Sequence, residues 1–192
     1  SQNVTATGSD YPLRLAADAI GSLPTDGLTI SDNTHGYIVI AGDGAITRSA
    51  TWPDLDVQWL IDTAIEVDGT ADAPTVLTVQ AGTDLRFMAN KGLYVSKNGG
   101  AAALVLAGTE DEPILLLPWE ANVPGNWSGI GLYNETLDEN TLMEHIEVGY
   151  AGGRDLQGAL HLDNASPTVR SASVHDSIEW GVFCKGTCAP VL

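Results

Sequence analysis

Between Trp127 and Cys184 the chain repeats itself, and that repetition limits the folds open to it more than any other feature. Ser128-Gly129-Ile130-Gly131-Leu132-Tyr133-Asn134 is echoed by Gly158-Ala159-Leu160-His161-Leu162-Asp163-Asn164, and again by Gly181-Val182-Phe183-Cys184-Lys185-Gly186. Each copy is a short apolar run with alternate residues inward, closed by a polar corner. With Ile130/Leu132, Leu160/Leu162 and Val182/Cys184 as the inward pairs, the copies lie 30 residues apart (130 to 160) and then 22 (160 to 182). A second series, Ile146/Val148 and Ala172/Val174, runs between them with a step of 26 (146 to 172).

Two interleaved series with steps of this size are what a parallel β-helix produces, its coils stacked about 4.8 Å apart. A meander of hairpins would carry no such echo. Upstream, Val57–Ile61, Ala64–Val67, Val76–Val79, Leu85–Phe87 and Leu93–Val95 are further short β-rich pieces, separated by Asp-Gly, Ala-Gly-Thr, Asn-Lys-Gly and Asn-Gly-Gly corners. No segment keeps a 3.6-residue period over three turns, so the chain reads as all-β. Residues 1–36 are aperiodic and form an N-terminal cap or tail, in which Leu13–Ile20 is either a capping helix or an irregular strand; residues 37–192 form the solenoid. Three strands per coil from Tyr37 to Cys184 amount to roughly five coils, with Pro118–Asn126 as a protruding loop.

Charge narrows the partners. Against 8 Lys and Arg stand 25 Asp and Glu, a net −17, which opposes nucleic acid and anionic lipid, since both require a basic face. No apolar run approaches the roughly 18 residues of a membrane span, so no membrane insertion is expected. Cys184 and Cys188 are four residues apart, a disulfide staple or two free thiols; the disulfide is favoured because the rest of the chain looks secreted. Their alignment makes Cys184 a core residue and Cys188 a corner one.

Four segments resemble a known family: Gly108–Leu116, Gly125–Ile130, Leu142–Gly153 and Asn164–Val169. Together with Leu77–Phe87 they look like the right-handed parallel β-helix repeats of secreted bacterial and archaeal surface proteins, within the pectate-lyase-like superfamily in its broad sense. The likeness covers about Thr51 to Pro190 and implies a right-handed coil. That superfamily includes lyases, hydrolases, adhesins and purely structural modules, so a shared fold licenses little about function. No local match to the catalytic motifs of its pectin-degrading branch is present, and no catalytic residue is assigned.

Candidate contacts come from the aromatic residues. Trp119 and Trp127 flank the loop 118–126, Tyr133 follows the next strand and Tyr150 ends the one after; exposed rings of this kind stack on sugar faces. His145, Glu147, His161, Asp163 and His175 are the sharpest polar constellation, but alternation turns them to solvent and places Glu147 and His161 on different faces. They read as exposed sheet residues, with no metal site assigned. Glu110/Asp111/Glu112 and Asp138/Glu139 are solvated corners, one of which could take a structural calcium ion; no other cofactor is expected. Thr78, Thr83, Thr109, Thr136, Thr141 and Thr168 do not recur at one coil position. The expectation is therefore a non-catalytic, secreted or cell-surface module serving adhesion, carbohydrate contact or extracellular assembly, including self-association through coil ends. The alternative is a polysaccharide lyase or glycoside hydrolase with a site built across several coils.

Overall fold

Short runs of branched and aliphatic residues between glycine, asparagine and aspartate corners leave the chain only strands to form, each too short to bury its apolar face alone. The computed structural model describes residues 3–23 and 27–192. It contains β1 (Val4–Thr7), β2 (Arg14–Leu15), β3 (Leu28–Ser31), β4 (Tyr37–Ile40), β5 (Ala45–Ile46), β6 (Ala50–Trp52), β7 (Gln58–Ile61), β8 (Ile65–Val67) and β9 (Thr75–Gln80). These are followed by β10 (Asp84–Phe87), β11 (Gly92–Val95), β12 (Ala102–Ala107), β13 (Ile114–Pro118), β14 (Gly129–Leu132), β15 (Leu142–Gly149), β16 (Gly158–Asp163), β17 (Thr168–His175) and β18 (Trp180–Lys185). Helical structure among the described residues is confined to two 3-10 turns, Ala17–Ser22 and Asp138–Asn140.

Neighbouring strands pair in parallel, and each is bonded to a strand one turn of chain away rather than to its neighbour in sequence. One sheet runs β18-β16-β14-β11-β8-β5. The largest runs β2-β4-β7-β10-β13-β15-β12-β9-β6 and curls, because β15 belongs to two ladders: Leu142–Glu144 face the β12 side, whereas Ile146–Val148 pair with β13. The bend between them is the single residue His145, at φ 47°, and β17 bends likewise at Ser171, φ 49°. A closely fitted glycine supports the first bend, since a Cβ on Gly108 would overlap the His145 carbonyl oxygen. The arrangement is compatible with a β-helix-like solenoid.

The echoed sequences stack as their spacing implies. Ile130, Leu160 and Val182 are in register, as are Leu132, Leu162 and Cys184, and Ile146 and Val148 stand against Ala172 and Val174. Inward residues of all three ladders, among them Trp59, Leu85, Leu116, Leu77, Leu104, Leu93 and Ile130, meet in one core. At about 1.5–3 kcal/mol per fully buried aliphatic or aromatic side chain, this shared core supplies what the short strands cannot supply singly.

The segment before Tyr37 is drawn into the same structure: Arg14–Leu15 is a strand paired with β4, and the following 3-10 turn buries Ala17 and Ile20. At the other end the inward positions lose their cover, and Val182 is 37 % exposed although Leu160 below it is 1 %. The same exposure corrects the reading of the cysteines. They form a disulfide, but Cys184 is exposed because β18 is the edge strand of its sheet among the described residues, whereas Cys188 folds back and packs against the core.

The threonines also need correction. Thr51, Thr78, Val105, Leu142 and Thr168 are successive partners in one outward column, so Thr78 and Thr168 do share a coil position. The column is interrupted by Val105 and Leu142 and is not a continuous threonine ladder.

Candidate functional site

The four aromatic candidates are not gathered into one platform. Trp127 is a core residue: it is fully buried, its indole lies 4.3 Å from Phe87 at 13° between planes, and its N–H donates to the Gly149 carbonyl at 2.9 Å. A fully buried ring, stacked on Phe87 and bonded at its polar edge, has no face left for a ligand. Trp119 leans over the outer side of β4 and β7, roofing Val39 and Leu60 with Tyr37 and Met88; its ring meets Tyr37 edge-on at 4.5 Å, in line with His35 and the exposed Tyr11. Tyr150, in the left-handed region at φ 60°, stands edge-on to His175 at 5.5 Å.

Tyr133 has a different setting. It follows β14 and folds back over Gly131, where an added Cβ would lie 3.1 Å from its ring and 3.3 Å from that of Tyr94. The missing side chain lets two tyrosines lie close against the sheet. From Tyr133 the rings continue across strands to His161 at 6.3 Å and from there to Phe183 at 5.1 Å. Burial beside Tyr94 pushes the Tyr133 phenol up to about 12, so it remains a neutral hydrogen-bond donor over the physiological range.

Beside Tyr133 a groove of about 310 Å³ opens, lined by Ser96, Lys97, Gly99, Asn134, Glu135, Asp163 and Asn164. Its sides are braced by short polar contacts. Asp163 accepts from Lys185 at 2.7 Å and from the Asn164 amide at 3.0 Å, and the Asn164 oxygen in turn accepts the Thr187 N–H at 3.0 Å. Lys97 stands 3.9 Å over the Tyr94 ring, with Glu66 at the same distance. Ser96 is the unusual member: it is 2 % exposed, sits at φ 60° and has a hydroxyl without a hydrogen-bond partner. Leaving a buried hydroxyl unpaired costs about 1–3 kcal/mol. The groove thus combines a neutral aromatic wall, an unsatisfied hydroxyl and charges of both signs.

The polar constellation is split in two. Glu147 and His175 come together on one sheet, 3.2 Å apart, with Asp176 at 2.9 Å on the other ring nitrogen. The Asp176 hydrogen bond, then Glu147, hold the His175 imidazole above its ordinary range against a smaller opposing effect of burial. His161 and Asp163 belong to the other sheet. There His161 is outward by register yet buried, contrary to its reading as an exposed residue, because Tyr133, Phe183 and the segment before β16 cover it. Burial lowers its pKa, and the neutral ring accepts the Gln157 N–H at Nδ1, 3.3 Å away. Among the described residues no group of three or more His, Cys, Asp or Glu side chains is placed to hold a metal ion. Of the acidic corners, Glu110–Glu112 are exposed, while Asp138 accepts the Ser166 N–H at 2.7 Å.

Ser96, Lys97, Asn134 and Asn164 were not read as site residues in the sequence. Asn134 and Asn164 do occupy equivalent places in the echoed phrases, which is a usable signal; Ser96 carries none, since nothing in the string announces a left-handed serine. Set against family models, curated proteins and solved structures, the chain matches none of them.

Proposed function

We propose that this chain is a right-handed parallel β-helix of roughly five coils, secreted or displayed at a cell surface, whose role is non-catalytic contact with carbohydrate through the groove beside Tyr133. Right-handed crossovers are the rule between parallel strands, and three recurring ladders supply the coils. The Cys184–Cys188 disulfide supports an oxidising compartment. The observation that carries the binding reading is a groove walled by the Tyr133 ring and rimmed by the exposed Lys97, Asn134 and Asn164. A sugar offers a C–H face for the ring and hydroxyls that donate to and accept from these polar side chains.

The test is retention on an array of neutral, amino and acidic glycans, with reducing and unsaturated ends assayed in the same wells. Tyr133→Ala is expected to lose about tenfold in affinity, equivalent to 1.4 kcal/mol, and Ser96→Ala to lose less. Binding unchanged in Tyr133→Ala would remove the groove from the reading. Release of sugar ends would replace contact with catalysis.

A further inference from the structure

The outward column Thr51, Thr78, Val105, Leu142, Thr168 lies on a face unlike the rest of the molecule. The chain carries 25 acidic residues and a net charge of −17, yet β6, β9 and β12 contain no charged residue. Beside the column, Gln80 and Ala107 are exposed and also uncharged. Among the described residues, charge returns on the face itself at Glu144 and Arg170, which neutralise each other across 2.8 Å, while Asp54 beside Gln80 and the Arg48–Asp18 pair beside Ala50 stand at its border. The other ladders place Asp84, Arg86 and Glu147, or Glu66, Asp163 and Lys185, at their outward positions. We infer that this uncharged face is a self-association surface that docks on the same face of a second copy.

Charge selects the occupant. Two copies at −17 repel wherever their acids meet, and a contact centred on this column desolvates no unpaired charge. The column is also self-complementary about a two-fold axis through Val105: turned end for end, it sets Val105 on Val105, Thr78 against Leu142 and Thr51 against Thr168. Apolar groups meet at the centre and hydroxyls at the rim, the arrangement that protein interfaces favour. Five strands about 4.8 Å apart, each presenting up to six residues at about 3.3 Å, give a face on the order of 400 Å². That is half of the roughly 800 Å² per partner in stable complexes, so the dimer is weak and reversible.

Salt separates this contact from an ionic one. As the screening length falls from about 30 Å at 0.01 M to about 3 Å at 1 M, repulsion between the acidic rims fades while apolar burial persists. Sedimentation velocity from about 10 μM to about 1 mM is expected to show the dimer strengthening at least tenfold with salt. Val105→Lys and Thr78→Lys each place a charge on the face and are expected to abolish the dimer. Ser173→Lys, which adds the same charge at an exposed position of another ladder, is expected to leave it intact. Circular dichroism and urea midpoints establish that each variant is folded; should one lysine variant fail to fold, the other decides. A monomer at about 1 mM in 1 M salt, association that weakens with salt, or a folded lysine variant that still dimerises would overturn the inference.

Discussion

Replacing Trp127 tests the packing account most directly, because a ring stack and a hydrogen bond converge on one buried side chain. In Trp127→Phe the stack on Phe87 can survive, but the N–H that satisfies the Gly149 carbonyl at 2.9 Å is lost. A buried acceptor left unpaired costs about 1–3 kcal/mol. The smaller ring also leaves a void on the order of 30 Å³, which adds about 0.7 kcal/mol at 24 cal/mol per Å³. The variant should therefore unfold at a urea midpoint corresponding to a loss of about 2–4 kcal/mol, with an unchanged slope. Trp127→Ala adds the loss of the stack, and at about 3–5 kcal/mol for the truncation alone it approaches the whole stability of a marginal domain. The measurement is urea unfolding followed by near-UV circular dichroism, paired with glycan binding of the folded variant. A Trp127→Phe change costing under about 0.5 kcal/mol would refute the buried, hydrogen-bonded placement. Loss of glycan binding without loss of stability would return Trp127 to the list of contact residues.

The histidines give opposite pH signatures. His175 is held above its unfolded value of about 6.5, so its contribution to stability is complete below that value and is lost as pH rises through the folded pKa; His175→Asn should flatten the alkaline fall in urea midpoint measured between about pH 6 and 9. His161 is held below its unfolded value, so its contribution is present above about 6.5 and is lost as pH falls, a loss that His161→Gln should diminish. Reducing the Cys184–Cys188 bond, or replacing both cysteines by serine, should cost about 2 kcal/mol by the chain-entropy estimate for so short a loop; no change in thermal midpoint would mean that the terminal strand holds its place unaided.

The register of the core was legible wherever the spacing repeated. Ile130, Leu160 and Val182 announce their column because both strand and corner recur around them. The outward column at Thr51 was hidden because its steps are uneven: 27 (51 to 78), 27 (78 to 105), 37 (105 to 142) and 26 (142 to 168). The long step holds the segment 118–126, which adds residues without adding a rung. Trp127 was misread for a related reason. A tryptophan next to a polar loop looks exposed in a string, and only the pairing of β14 and the approach of Gly149 show that it points inward. The groove beside Tyr133 was half legible: its tyrosine and asparagines sit at echoed positions, but Ser96 matters through a left-handed backbone and a missing partner, and neither is written in residue types.

The one-residue bends at His145 and Ser171 have a consequence for how such a molecule can change. A residue inserted within the strand after either bend, rather than taken up in the bend, would slip that strand and turn Ile146 and Val148, or Ala172 and Val174, from the core to solvent. The corner itself can lengthen: the same edge is turned by 81–83 and by 108–113 in earlier rungs, with the strands on either side still in register. The two edges bordering the sheet that carries Tyr133 vary as well: 119–128 and 150–157 at one, 96–101 and 133–141 at the other, differ in length while the rungs on either side remain in step. Extra chain at a surface corner costs little, since closure entropy grows only with the logarithm of loop length. New sequence can therefore accumulate at any of the three corners, and at the two that border the Tyr133 sheet it would reshape the groove.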